Sequence, residues 1–127
     1  MKAFRFAIWG QAFWLLLALG YNLISGWCLI QGQQALSPTN PVLAFFVVSA
    51  VAWPVLWLGL NGNVRLYLRL NWFFICLTGM AAYTHAGAYF SDDFDRYASM
   101  TAWGLALLIN LLGVIAGILG SWLGFRR

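Results

Sequence analysis

Charged residues are scarce in this chain of 127 residues: three are acidic, seven are basic, and 63% of the sequence is hydrophobic. A soluble domain has about 25% charged residues, so that class of protein is excluded. The few charges leave four apolar windows, at about 6–30, 42–60, 70–90 and 100–124. Each window is close to the roughly 20 residues that a helix needs to cross a bilayer core. We therefore predict four transmembrane helices.

None of the four windows contains Asp, Glu, Lys or Arg. Charges inside a membrane mark proton relays, ion paths and coupled transport, so their absence argues against these functions. The carboxylates are confined to residues 92–95, where they cannot join His85 in a catalytic set, and we expect no enzyme activity. Cys28 and Cys76 form no metal-ligand motif and fall at different depths along their helices. We therefore expect no disulfide, no metal site and no required cofactor.

The basic residues are unevenly distributed between the two sides of the predicted membrane. Six of the seven flank the windows on one side, namely Lys2, Arg5, Arg65, Arg69, Arg126 and Arg127. The seventh, Arg96, shares a loop with Asp92, Asp93 and Asp95. By the positive-inside rule, both termini are cytoplasmic and the loops at 31–41 and 91–99 face outward. This pattern is a topology signal, so no nucleic-acid partner is expected. Arginine greatly outnumbers lysine, which suits a GC-rich bacterial genome, and the expected location is a bacterial inner membrane.

Turn and cap signals separate the windows. Asn40 followed by Pro41 is a typical N-cap and first residue of a helix. Pro54 should kink the second helix, and the Asn-Gly-Asn segment 61–63 predicts a tight turn. With short loops throughout, residues 1–127 form a single domain. The predicted fold is an all-α integral membrane four-helix bundle with no soluble domain.

Small residues recur along one side of the last window. At about 100° per residue they share one face of a helix, called here the glycine face, which comprises Ala102, Ala106, Gly113, Gly117, Gly120 and Gly124. In lipid, small residues let two helix backbones approach closely, and van der Waals contact then holds them together. We predict that the glycine face packs on a neighbouring helix. The sequence leaves open whether that helix belongs to this chain or to another.

Uncharged polar residues gather toward the expected outer half of the bundle. At a rise of about 1.5 Å per residue, the set near the outer surface is Tyr21, Asn22, Ser25, Ser49, Thr84 and His85. Interhelical hydrogen bonding is the ordinary explanation. The alternative is an outer-leaflet site for a lipid, quinone or pigment, with Trp14 and Trp53 as a further candidate wall. Haem held by two histidines is disfavoured, because the chain has one. In the inner half we expect little polarity beyond Gln11.

These features support two main hypotheses of function. The first is a non-catalytic accessory subunit of a larger membrane complex, whose partners are lipids and other membrane subunits and whose docking surface is the glycine face. The second is a small homo-oligomeric channel for an uncharged solute, with a pore formed by Asn22, Ser49, Thr78 and Asn110. A subunit that binds a quinone, lipid or pigment at the polar cluster is a further alternative.

Overall fold

A computed structural model describes residues 2–36, 40–90 and 100–126. These residues form four α-helices and no strand: α1 (Lys2–Ile30), α2 (Pro41–Leu60), α3 (Val64–Tyr89) and α4 (Met100–Phe125). The acidic segment with Asp92, Asp93, Asp95 and Arg96 lies outside the described residues, as does the middle of the α1–α2 loop. The all-α prediction is therefore confirmed for the part of the chain that the structure describes.

Three of the helices, α1, α2 and the part of α4 from Thr101 to Phe125, are long and apolar enough to cross a membrane. Four such helices were predicted. Helix α3 has sufficient length, with 26 residues, but it is less apolar than the others. Two features contribute: Arg65 and Arg69 near its start, and its buried face, which carries Asn71, Thr78 and His85 at intervals of one heptad. Its opposite face is apolar and exposed, with Trp72 and Phe73 among its residues.

The helix boundaries follow from local capping chemistry. Asn40 accepts hydrogen bonds from the backbone N–H groups of Val42 and Leu43 at 3.0 and 3.2 Å, which confirms the predicted N-cap of α2. The tight turn after α2 is also confirmed, because Gly62 adopts a φ of 76° that favours glycine. Helix α3 begins at Val64, before the predicted window at 70–90, since Asn63 caps it. The helix continues through Arg65 and Arg69, which the apolar window excluded.

The helices pack in chain order around a ring, with α1 against α2, α2 against α3, α3 against α4, and α4 back against α1. Short connections make successive helices antiparallel. One end of the bundle, called the terminal end, holds the start of α1, the 61–63 turn and the end of α4. The other end, called the loop end, holds the residues after α1 and the start of α2.

Polar and apolar side chains are distributed as expected for a bundle surrounded by lipid. Among the described residues, six polar side chains are buried: Gln11, Ser25, Asn71, Thr78, His85 and Ser121. The exposed surface is rich in large apolar side chains, for example Phe13, Leu16, Phe73, Leu108 and Ile115. A soluble bundle instead buries most of its large apolar side chains and exposes polar ones, because contact between water and a large apolar surface is unfavourable.

The glycine face lies inside the bundle. A Cβ atom built on any of its four glycines would come within 3 Å of a side chain of α1 or α3; the neighbours are Trp14 and Thr78 for Gly113, Ile75 for Gly117, Tyr67 for Gly120 and Leu68 for Gly124. The opposite side of α4 is exposed, as at Ile118 and Trp122. The helices against which the four glycines pack therefore belong to the same chain, and these buried glycines have no free surface to offer another subunit.

Candidate functional site

The terminal half of the bundle contains a buried polar network that joins three helices. Gln11 of α1 donates from Nε2 to Asn71 Oδ1 at 2.7 Å and accepts from the Tyr67 hydroxyl at 2.8 Å. Asn71 Nδ2 in turn donates to the Gly117 carbonyl and to Ser121 Oγ of α4, both at 2.8 Å. Both N–H bonds and the side-chain oxygen of Asn71 are thus hydrogen-bonded. Such a network fixes the register of α1, α3 and α4 and leaves Asn71 no group for a ligand.

The expectation that the inner half holds little polarity beyond Gln11 is wrong. Tyr67, Asn71 and Ser121 are all buried beside it. The sequence carried a detectable signal, because Asn71 and Ser121 stand within or beside apolar windows. Their mutual proximity was not detectable, since it depends on the rotation of three helices about their axes.

The loop half of the bundle contains a cavity of about 150 Å³. Its walls come from all four helices: Trp14, Ala18, Tyr21 and Asn22 of α1, Ala44, Val47 and Val48 of α2, Leu77, Ala81 and His85 of α3, and Ala106, Ile109 and Asn110 of α4. Val47 is 38% exposed, so the cavity lies close to the bundle surface on the α2 side. This wall belongs to the half of α2 that precedes Pro54, where most side chains are exposed or half-buried.

Three polar side chains of the cavity wall share one arrangement. Asn22 Nδ2 donates to the Ala18 carbonyl at 2.9 Å, and Asn110 Nδ2 donates to the Ala106 carbonyl at 2.9 Å. His85 Nδ1 lies 2.6 Å from the Ala81 carbonyl. Each side chain therefore bonds to the alanine carbonyl one turn earlier on its own helix, a known alternative for polar side chains in helices.

These bonds determine which polar atoms remain available. A backbone carbonyl only accepts, so each asparagine must direct its NH₂ group toward the helix and keep Oδ1 as a free acceptor. By the same argument His85 carries its proton on Nδ1, and Nε2 of the neutral ring keeps a lone pair. The cavity wall thus includes three hydrogen-bond acceptors without a donor among the described residues.

Trp14 is the cavity residue of α1 that lies farthest from the loop end. Its side chain is 1% exposed and contacts Phe74 edge to face, with ring centroids 4.9 Å apart. Its Nε1 group has no acceptor among the described residues and lies beside Gly113. A buried donor without an acceptor is costly. Trp14 therefore fits the predicted wall, whereas Trp53 is exposed.

The predicted outer-leaflet residues divide into groups. Tyr21, Asn22 and His85 line the cavity, whereas Ser25, Ser49 and Thr84 are not among its lining residues. Ser25 instead accepts from the Leu36 backbone N–H at 3.1 Å. The Tyr21 hydroxyl lies 3.0 Å from the Leu36 carbonyl and 2.8 Å from the Ala102 carbonyl. Tyr21 and Ser25 thus hold the chain that follows α1. Thr84 is exposed and Ser49 is half-buried.

Asn110 lines this cavity but was expected only in a pore and not in the outer-leaflet cluster. Ala18, Ala81 and Ala106 also line it and were not predicted as cavity residues. A usable signal exists in the repeated spacing of alanine and a polar residue four positions later, as in Ala106 and Asn110. That spacing indicates that a polar side chain can bond to the backbone of its own helix. It does not indicate that such residues from three helices lie around the same cavity.

A second, larger groove lies on the surface between α1 and α2 at the loop end, with a volume of about 350 Å³. It is almost wholly apolar, and its lining residues are Asn22, Leu23, Gly26, Trp27, Ile30, Pro41, Val42, Phe45 and Phe46. Asn22 lines both the groove and the cavity. The two spaces are therefore neighbours: the cavity has hydrogen-bond acceptors in its wall, and the groove is shallow and apolar.

The described residues contain no cluster of three or more His, Cys, Asp or Glu side chains that could hold a metal ion. Cys28 is half-buried, Cys76 is exposed, and both are free thiols. In the part of the chain that the structure covers, the cavity and the adjoining groove are thus the features best suited to a ligand.

Comparison with protein-family models, with curated proteins and with solved structures finds no match for this chain. The class of protein therefore follows from the fold alone. Over residues 2–36, 40–90 and 100–126 the chain is an all-α helical bundle, with three helices long and apolar enough to cross a membrane.

Proposed function

We propose that the protein is a four-span membrane bundle that binds a small membrane-soluble molecule in the cavity at its loop end. The observation that carries this proposal is the convergence of Asn22, His85 and Asn110 on one cavity with their acceptors unused. An internal packing defect would be expected to be apolar or to pair its polar groups with one another, as the Gln11 network does. The size suits a ring-sized head group, since an apolar cavity of about 150 Å³ accepts benzene.

The proposed topology places both termini in the cytoplasm and the cavity in the outer leaflet. Helix α3 is the fourth span in this proposal. Support comes from its packing along α4, with Leu68 against Gly124 at the terminal end and Thr78 against Gly113 farther along. A helix in contact with a spanning helix over this length shares its depth in the membrane. The charge bias of the sequence gives the orientation, and a bacterial inner membrane is the proposed location.

The ligand class that fits is an amphiphile with a small ring and an apolar chain, as in quinones and some lipids and pigments. The ring would occupy the cavity, and the chain would lie in the groove between α1 and α2. Asn22 stands at the junction of the two spaces. Exposed Val47 lies where a ligand could enter from lipid without crossing water.

The accessory-subunit hypothesis is retained as a second proposal, but with a different docking surface. The four glycines of the glycine face pack on α1 and α3 of the same chain, so partner subunits would have to use the exposed apolar side chains. A channel is less well supported for two reasons. Thr78 donates to the backbone of its own helix, and the Gln11 network fills the bundle between the cavity and the terminal end.

The experiment that tests ligand binding is purification in mild detergent followed by mass spectrometry and an absorbance spectrum of extracted small molecules. Ala81→Leu and Val48→Phe each fill the cavity from a different helix, and Ala50→Leu adds the same bulk on the exposed side of α2. We expect a specific molecule in the wild type and in Ala50→Leu and its loss in both filled variants. Equal amounts in all four proteins would contradict the proposal.

A further inference from the structure

We infer that the cavity selects a head group that donates hydrogen bonds, namely a ring hydroxyl of the phenol or hydroquinone class, over the corresponding carbonyl or hydrocarbon. This inference rests on the proposed ligand-binding function and specifies its ligand chemistry. The selectivity follows from which polar atoms of the cavity wall already have hydrogen-bond partners and which do not.

The first step concerns the acceptors. The i−4 bonds at 2.9, 2.6 and 2.9 Å use one donor each of Asn22, His85 and Asn110. They leave two amide oxygens and one imidazole nitrogen as acceptors, on three different helices. Donors also remain, namely the second N–H of Asn22 and of Asn110 and the Nε1 group of Trp14. A carbonyl head group can accept from those donors, but it leaves all three acceptors, including His85 Nε2, without a partner. A hydroxyl head group can donate to any of the three acceptors and can itself accept, for example from an asparagine N–H.

The second step concerns charge. The described residues of the cavity wall include no Asp or Glu, so nothing there offsets the cost of moving an ammonium ion out of water. A neutral donor avoids that cost. The ring preference follows from the aromatic wall, which Trp14 and Tyr21 supply, and from the cavity volume of about 150 Å³.

The third step concerns selectivity. A pocket that hydrogen-bonds a hydroxyl rejects an analogue lacking it more strongly than an apolar pocket rejects a change of one methyl group, because buried polar atoms are then left without partners. The two oxidation states of a quinone head group differ in this respect, since the reduced ring carries hydroxyls and the oxidised ring carries carbonyls. The cavity is thus suited to retaining the reduced form.

The test is a ¹⁹F NMR titration of the full chain in detergent micelles with 4-fluorophenol and 4-fluorotoluene. The two probes have similar size, but only the phenol donates a hydrogen bond. Empty micelles correct for partitioning of each probe into detergent. The proteins compared are the wild type, Asn110→Leu, His85→Leu, the filled variant Ala81→Leu and, as a control, Thr78→Val, which alters a buried polar residue of α3 that does not line the cavity.

We expect the wild type and Thr78→Val to prefer 4-fluorophenol. We expect Asn110→Leu and His85→Leu each to weaken phenol binding by about three- to tenfold while 4-fluorotoluene is unaffected or bound more tightly. The two acceptor variants lie on different helices, so the test does not depend on the folding of one of them.

Two other results would overturn the inference, and they are distinguishable. If both probes bind the wild type in a manner that Ala81→Leu abolishes, but without a phenol preference that depends on Asn110 or His85, the cavity binds ligands and the hydroxyl selectivity is wrong. If neither probe binds the wild type more tightly than Ala81→Leu, the proposed ligand-binding function itself fails.

Discussion

The Tyr67 hydroxyl of α3 occupies the space that a side chain at Gly120 of α4 would need. From that position it donates to Gln11 Oε1 at 2.8 Å. One glycine thus admits a polar atom of a second helix, which in turn engages a third. The glycine face is therefore more than a close contact of backbones, because it creates the room in which the polar network of the terminal half forms.

The first prediction concerns Gly120→Ala. Its Cβ atom would overlap the Tyr67 hydroxyl, so we expect a loss of about 1–3 kcal/mol in the free energy of unfolding. The measurement is reversible unfolding in mixed micelles of SDS and a mild detergent. Gly79→Ala is the matched control, because nothing lies within 4 Å of a Cβ at that helical position. It should be neutral or stabilising by up to about 1 kcal/mol through helix propensity. Equal effects of the two variants would contradict the packing described.

The second prediction concerns the coupling between Tyr67→Phe and Gly120→Ala. Alone, Tyr67→Phe removes the donor to Gln11 and should cost about 1 kcal/mol. Combined with Gly120→Ala it also removes the overlapping hydroxyl, so the double variant should be more stable than Gly120→Ala alone. A double-mutant cycle of unfolding free energies measures this coupling. Simple additivity of the two single effects would show that the hydroxyl is not the group that excludes a side chain at 120.

The third prediction distinguishes packing inside the chain from packing on a partner. Gly117→Leu would place a side chain against Phe74 and Ile75 of α3, so it should lower the protein's own level in the membrane. Leu111→Ala changes the exposed side of α4 and should have a smaller effect. Quantitative immunoblotting of membranes provides the measurement. A normal level of Gly117→Leu together with loss from a larger complex would place the contact on another subunit.

The fourth prediction concerns orientation in the membrane. The charge bias predicts that Asp93 is external and Asn63 is cytoplasmic. In a background in which both native cysteines are replaced, a membrane-impermeant thiol reagent applied to intact cells should label Asp93→Cys but not Asn63→Cys. Permeabilised cells serve as the control, since both positions should then react. The opposite pattern in intact cells would invert the proposed topology and move the cavity to the inner leaflet.

Local chemistry explains which features were predictable from the sequence. The cap at Asn40 and the turn at Gly62 depend on neighbouring residues alone, and both predictions agree with the structure. The starts of α1 and α3 were placed too late, because the windows were defined by hydropathy. A helix continues through charged residues such as Arg65 as long as its backbone hydrogen bonds are made, so an apolar window underestimates its length.

The candidate site was only partly predictable, as His85 and Thr84 show. Both were expected near the outer surface from their position along α3. Adjacent residues differ by about 100° in direction around a helix, so His85 faces the cavity and Thr84 is exposed. Depth follows from the count of residues along the chain, whereas direction depends on how the whole helix is rotated against its neighbours.

The sequence by itself determined the apolar class of the chain, the number of helices and most of their ends. The reason is that hydropathy, caps and turns depend on residues that are close together in the sequence. Only the tertiary structure decided that the glycines of α4 pack against α1 and α3, and that Gln11, Tyr67, Asn71 and Ser121 form one network. It also decided that the unused acceptors of Asn22, His85 and Asn110 surround one cavity. The physical reason is that each of these features requires a particular rotation and spacing of several helices. Those quantities are set by the packing of side chains from distant parts of the chain.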